Sequence, residues 1–313
     1  MQVNIKTPSR IHITLIDLNA SIGRMDGGIG LALDEPSIEL VAGESDELIV
    51  EGPLSDRASD AAEKILRHLG VDGSVRVEIK KGYPQHIGLG SGTQAALATS
   101  KAICELYDRE LSVKEMAEII GRGGTSGIGI RAFERGGFLL DGGHSTKDKG
   151  DFLPSSASKA DPPPMLARYE FPDWKIILVI PKSKPDIHGG AEVNIFQKYC
   201  PIPLDEVREV SHIVLMKLLP SILEKDIAGF GDGIKTIQNV GFKKIEVDLQ
   251  SEAVKELMGK CAKHAPAVGL SSFGPTIYCV TEDDGDLLNA LEGEEAEVIV
   301  TEANNVGASS RRM

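Results

Sequence analysis

Aromatic side chains make up 4% of this 313-residue chain, with a single tryptophan. That scarcity excludes broad stacking platforms for single-stranded nucleic acid or for sugars. Basic residues are in deficit, 34 against 47 acidic, for a formal net charge of -13, which argues against a surface that coats nucleic acid. An anionic small molecule is still admissible, because backbone dipoles and a few placed cations outweigh a distant negative field. The cysteines, Cys104, Cys200, Cys261 and Cys279, have none of the paired spacings of a zinc knuckle or redox dithiol and read as reduced side chains. No apolar run approaches the roughly 18 to 20 residues of a membrane span. The N-terminus carries no signal-peptide pattern. A cytoplasmic enzyme acting on small molecules, with no membrane and no nucleic-acid partner, is the expectation.

Glycine, by contrast, is plentiful at 34 residues and clustered. The stretch PQHIGLGSGTQAALA, residues 84 to 96 and on to Ala98, sets Gly88, Gly90 and Gly92 directly before an uninterrupted helix former. A clean strand pattern, GSVRVEIKK over residues 73 to 81, delivers the chain into it. Strand, glycine loop and helix in that order leave backbone N–H groups facing an anion, usually phosphate. The loop is neither a Walker A motif, since no lysine follows its last glycine, nor a strict dinucleotide fingerprint, since Thr93 stands where a glycine is required. The bland alternative is a glycine-rich helix cap.

Residues 3 to 18 alternate as a strand around Pro8 and place Arg10, His12 and Asp17 together, more like a site wall than core. The next stretch, GRMDGGIGLAL at 23 to 33, reads as a glycine-rich turn in which Arg24 could clamp a phosphate with its planar fork; a surface Arg24–Asp26 pair is the alternative. Residues 57 to 69 form a packing helix, and 113 to 121 another. RGGTSGIGIRAFERGGFLLDGG, from Arg122, carries Thr125, Ser126 and Arg131 toward the far side of a pocket. Residues 144 to 165 read as a proline-rich link between an N-terminal domain, 1–165, and a C-terminal domain, 170–313. In the second domain, DWKIILVIP is a buried strand, and Lys182, Lys184 and His188 precede a helix carrying Glu192. Helices are expected near 204 to 219 and 221 to 240, with the apolar pattern at 210 to 223 suited to a homodimer or domain contact. Residues 309 to 313 are expected to be mobile.

Three of these stretches resemble the signatures of the GHMP superfamily of small-molecule kinases: PSRIHITLIDLN at 8 to 19, PQHIGLGSGTQAA at 84 to 96 and VGLSSFGPTIY at 268 to 278. The resemblance implies an α+β, two-domain fold, a ribosomal-protein-like N-terminal domain and a ferredoxin-like C-terminal domain with a cleft between them. It also implies phosphate binding by Gly88, Gly90, Ser91, Gly92, Thr93, Thr125, Ser126, Ser272 and Gly274. In the segment TSGIGI, however, Gly129 occupies the place of the kinases' catalytic aspartate. RIHITLIDLN, GRMDGGIGLAL, GLGSGTQ, RGGTSGIGIRAFERGGFLLDGG and IPKSKPDIHGGAE together resemble one branch, the beta-ribofuranosylaminobenzene 5'-phosphate synthase family. That likeness implies condensation of 5-phospho-α-D-ribose 1-diphosphate with 4-aminobenzoate or 4-hydroxybenzoate, releasing carbon dioxide and pyrophosphate, in methanopterin biosynthesis. Mg²⁺ is the cofactor expected with it. Asp17 and Asp26 are the candidate metal ligands, and Arg24, Arg131 and His188 join them as candidate catalytic groups. An ATP-dependent GHMP kinase is the principal alternative, and a non-catalytic metabolite-binding relative a further one.

Overall fold

The structure, a computed structural model, describes residues 1–71, 73–155, 157–182 and 190–313. Its first sheet is built on two long antiparallel strands, Gln2–Asp17 and Arg24–Ser45. Pro8 does not end the first of them, because a register shift between Thr7 and Ser9 absorbs the residue that lacks a donor. The glycine-rich stretch 23 to 33, expected as a turn, lies almost entirely in the second strand. Its missing side chains allow close packing, since a Cβ at Gly30 would run into Ile11 O and Ile128. The far edge of this strand is shared between Ser74–Lys81, opposite residues 39 to 45, and Phe138–Asp141, opposite residues 28 to 31. Helix Ser91–Leu106 lies against the sheet and is buried around most of its circumference, which its alanines Ala95, Ala96, Ala98 and Ala102 permit.

The second sheet has the order Ala296–Thr301, Lys175–Pro181, Ile277–Thr281, Ala267–Leu270, all antiparallel, as a ferredoxin-like domain requires. Alternation divides its faces. Ile176, Leu178, Ile180, Tyr278 and Val280 join the main core, while Ile177, Val179, Ile277 and Cys279 pack with Val254, Leu257, Leu287 and Leu291. An aromatic group, Phe138, Phe171, Trp174 and Phe230, with ring centroids 5.3 to 6.3 Å apart, fuses the two halves into one core.

Two further expectations are corrected. The helix expected over 221 to 240 is broken at Lys225, which takes a left-handed φ of 57°, after which Asp226 caps a new helix, Ile227–Ile237. The C-terminal residues are ordered rather than mobile. Ser309–Arg312 pairs antiparallel with Val3–Lys6, so the end of the chain returns to the first sheet. Among the described residues no helix is long and apolar enough to cross a membrane.

Candidate active site

The three signature stretches meet in space. Arg10 N–H donates to Leu89 O at 3.2 Å, and His12 O accepts from Ser272 N–H at 2.9 Å. The Ser271 hydroxyl accepts from His12 N–H at 3.0 Å and donates to Gly88 O at 2.7 Å. Thr276 Oγ1 donates to Ile87 O at 2.5 Å. The glycine loop is thus clamped between the first strand and the turn after Ala267–Leu270. Gly88 and Gly90 adopt φ of 85° and 81°, and a Cβ on Gly88 would overlap the Ser271 carbonyl.

In front of the loop is a cleft with two lobes. The outer lobe, about 210 Å³, is lined by Gly88, Gly90, Ser91, Gly92, Thr93, Ser272 and Gly274, with Arg10, Arg57 and Arg122 around them. Gly90 caps helix Ser91–Leu106, so the N–H groups of Ser91 and Gly92 have no partner within the helix, whereas Thr93 N–H donates to Gly90 O at 3.1 Å. The Arg10 guanidinium donates to Gly88 O at 2.5 Å. Arg122 is partly buried with its Nε unpartnered, and burial together with the neighbouring Arg57 pulls its pKa down. A desolvated guanidinium beside a second cation and helix N–H groups without intrahelical partners is an arrangement suited to an anion.

The inner lobe, about 200 Å³, shares Arg10, Thr93, Arg122, Glu192, Ser272 and Phe273 with the outer one and continues past His12 and Ser126 to Leu15, Ile130 and Phe196. It is smaller than the roughly 300 Å³ at which drug-sized pockets begin, and its walls suit a single ring. Glu192 faces both lobes, and burial plus the nearby Glu246 carboxylate raise its pKa to about 7. Glu246 is itself buried and ion-paired with Lys243, whose Nζ also donates to Leu270 O at 3.1 Å and Ser272 O at 3.3 Å. His12 Nε2 lies 3.2 Å from Ser126 Oγ, and Ser126 Oγ donates to Asp141 Oδ2 at 3.2 Å.

Asp141 also accepts from Gly127 N–H at 2.9 Å and Gly143 N–H at 3.0 Å, yet burial still raises its pKa from 3.8 to about 6. The native state therefore holds this proton more tightly than the unfolded chain. The associated stability is present at low pH and is lost as pH rises from about 4 through about 6. Asp141→Asn should flatten that part of the curve of urea midpoint against pH; an unchanged slope would show that Asp141 does not titrate there.

Several expected site residues lie elsewhere. Arg24 is exposed and its guanidinium donates to Gly142 O and Gly143 O at 2.9 to 3.0 Å. Arg131 pairs with Glu134 at 2.6 Å. Asp17 Oδ1 accepts from the N–H groups of Asn19 and Ala20, closing a turn. Asp26 is buried between His144 at 2.6 Å and Lys149 at 2.9 Å, so a protein ammonium takes the place of the expected metal ion. None of the four lines either lobe. Thr125 lines the inner lobe, but its hydroxyl donates to Leu153 O at 2.5 Å and accepts from Lys149, anchoring the loop. His188 and Lys184 are outside the described residues.

Other lining residues lie outside the set to which the sequence points. Arg57 sits in a helix whose pattern indicates packing alone. Arg122 stands just before Gly123 and Gly124, in the same cation-beside-glycine pattern as Arg24. Glu246, on helix Gly241–Asp248, has no sequence signal at all; only the fold brings it to the cleft, with Lys243 as its buried ion-pair partner.

Comparison with known proteins gives this geometry its relatives. Residues 56–137 match the family described as GHMP kinases N terminal domain. Mevalonate kinase from Methanococcus jannaschii superposes with a TM-score of 0.70 at 14% identity, covering 96% of this chain and 98% of that one. A homoserine kinase structure from Listeria monocytogenes gives 0.67 at 18%, covering 99% and 100%. These likenesses concern the fold alone. Beta-ribofuranosylphenol 5'-phosphate synthases from Archaeoglobus fulgidus and Methanocaldococcus jannaschii are each 49% identical, over 97% of this chain and 98% of theirs. A whole-length likeness of that degree, on a GHMP fold with Gly129 in its cleft wall, places the chain in the beta-ribofuranosylphenol 5'-phosphate synthase family of the GHMP superfamily.

Proposed function

We infer that this protein joins 5-phospho-α-D-ribose 1-diphosphate to 4-hydroxybenzoate, releasing carbon dioxide and pyrophosphate. The observation that carries this is the join between an arginine-walled outer lobe and a ring-sized inner lobe. The hydroxy acceptor is chosen because the relatives' name specifies a ribosylated phenol. The ring carbon bearing the carboxylate attacks ribose C1 as the bond to pyrophosphate breaks, and aromaticity returns when carbon dioxide leaves. That nucleophilic carbon has no proton to surrender, so a kinase's aspartate is dispensable and glycine suffices at position 129. The chain's task is to hold the leaving diphosphate and orient the ring. Arg10, Arg57, Arg122 and the Ser91 and Gly92 N–H groups serve the first. Phe196, Phe273, Leu15 and Ile130 serve the second and keep water from the cationic ribose centre.

Mg²⁺ belongs to the same proposal. Among the described residues no group of three or more His, Cys, Asp or Glu side chains could hold a metal by itself. Magnesium commonly takes only one or two carboxylates and completes its shell with substrate phosphates and water. Glu192 fits that role, since a cation beside it relieves both its burial and its repulsion from Glu246. When bound, the ion would neutralise charge on the diphosphate. We place the homodimer contact on the 204–224 helical run, where Leu215, Met216 and Leu223 are exposed.

The test is incubation with phosphoribosyl diphosphate, Mg²⁺ and carboxyl-labelled 4-hydroxybenzoate or 4-aminobenzoate. Labelled carbon dioxide should appear only with phosphoribosyl diphosphate and in equal amount to pyrophosphate. Because Glu192 does bring a carboxylate to the cleft, an ATP-dependent small-molecule kinase is the second reading. ATP-dependent phosphorylation of a hydroxylated metabolite without decarboxylation would establish that one instead.

A further inference from the structure

We propose that His12 is a catalytic base of this reaction, its Nδ1 taking the proton of the acceptor's para-hydroxyl while Ser126 and Asp141 fix the ring in the tautomer that allows it. This rests on the function inferred above and adds a residue role and an acceptor preference to it.

The hydrogen bonds assign the tautomer. Ser126 Oγ donates its one hydrogen to the Asp141 carboxylate at 3.2 Å and accepts from Ile128 N–H at 3.3 Å. His12 Nε2, 3.2 Å from the same oxygen, must then be the protonated nitrogen, donating to Ser126. Nδ1 is left as a lone pair, and it is buried with no hydrogen-bond partner. A buried acceptor without a donor, on a ring that walls a substrate lobe, calls for a donor brought by the ligand. The backbone has made room for this junction. A Cβ on Gly28 would stand 3.0 Å from Ser126 Oγ, 3.1 Å from His12 Nε2 and 3.2 Å from Asp141 Oδ2, wedging the three apart.

Position agrees with chemistry. The reacting ring carbon must face the outer lobe, where the ribosyl centre is held, so the para substituent points into the inner lobe. His12 lines the inner lobe and not the outer. As ring carbon bonds to ribose C1 and the electron pair of the old C1–O bond leaves on pyrophosphate, the O–H proton passes to Nδ1 and the ring becomes a cyclohexadienone. The C–CO₂ bond then breaks, its pair restores the aromatic ring, and the phenolate oxygen recovers the proton from Nδ1. Burial, Arg10 and Lys243 hold the His12 pKa down and keep the ring neutral; the diphosphate and carboxylate of the substrates would offset those cations. A 4-aminobenzoate ring needs no such base, because its nitrogen lone pair can push without first losing a proton.

The test is kcat/KM of His12→Gln with each acceptor. Activity toward 4-hydroxybenzoate should fall about 100- to 10,000-fold, and toward 4-aminobenzoate within about tenfold. 3,5-Difluoro-4-hydroxybenzoate, whose hydroxyl ionises more readily, should recover much of the loss. Ser126→Ala, which frees the tautomer, should show the same split at smaller size and carries the test if the His12 variant does not fold. Phosphoribosyl diphosphate affinity by calorimetry should stay at the parent value, as His12 is absent from the outer lobe. Equal losses on both acceptors, no rescue by the fluorinated acid, or undiminished hydroxybenzoate turnover would overturn the proposal. A parent enzyme that turns over neither acceptor would instead overturn the inferred function and this inference with it.

Discussion

Arg122→Ala should lower kcat/KM for phosphoribosyl diphosphate about 30- to 1000-fold, with the loss carried by that substrate and little change in the KM of the acceptor. The magnitude corresponds to about 2 to 4 kcal/mol, the range for one or two charge-assisted hydrogen bonds to a desolvated anion. Arg122 is partly buried with its Nε unpartnered, and of its two charged neighbours Arg57 repels it and Asp60 offsets only part of that. Arg122→Lys should recover only part of the activity, because a point charge cannot replace the planar fork. Steady-state kinetics with each substrate varied in turn decides the matter. A folded Arg122→Ala enzyme within about threefold of the parent would remove Arg122 from the diphosphate site.

Gly88→Ala should destabilise the fold by about 2 to 5 kcal/mol, combining an unfavourable left-handed φ with backbone overlap. The added methyl meets the Ser271 carbonyl, and that turn cannot retreat without breaking the Ser271–Gly88 and Thr276–Ile87 hydrogen bonds. Gly92, four residues on, supplies the contrast. Its Cβ position has nothing nearer than Arg57 at 3.8 Å. Gly92→Val should therefore keep the parent's urea midpoint while losing phosphoribosyl diphosphate affinity, because its side chain enters the outer lobe. Denaturation midpoints and calorimetric titration of the two variants should separate seam from site. A Gly88→Ala protein as stable as the parent would mean that the clamp between loop and turn contributes little to the fold.

The pattern of residues by itself determined the glycine loop, the helix that follows it and the strand Lys175–Pro181 of the second domain, because each depends on neighbours in the chain. Gly88, Gly90 and Gly92 announce a loop wherever they occur before TQAALATSKA, and the continuous apolar run in KIILVIP requires only that both faces be covered. It also identified the join of 8 to 19, 84 to 96 and 268 to 278 as one site, through family likeness rather than local physics. What it misassigned were charges. Arg24 and Arg122 each stand beside glycines, Asp17 and Asp26 both sit near the first strand, and nothing in their spacing says which way a side chain faces. Tertiary structure decided that Arg24 would meet the carbonyls of Gly142 and Gly143, that Asp26 would be ion-paired with Lys149 and in hydrogen-bond contact with His144, and that Arg122 would be left facing the cleft. The physical reason is that partnership between charges is a short-range property. It depends on contacts of about 3 Å between residues more than a hundred positions apart, as between Asp26 and Lys149 or His12 and Ser126, and only the folded chain fixes those.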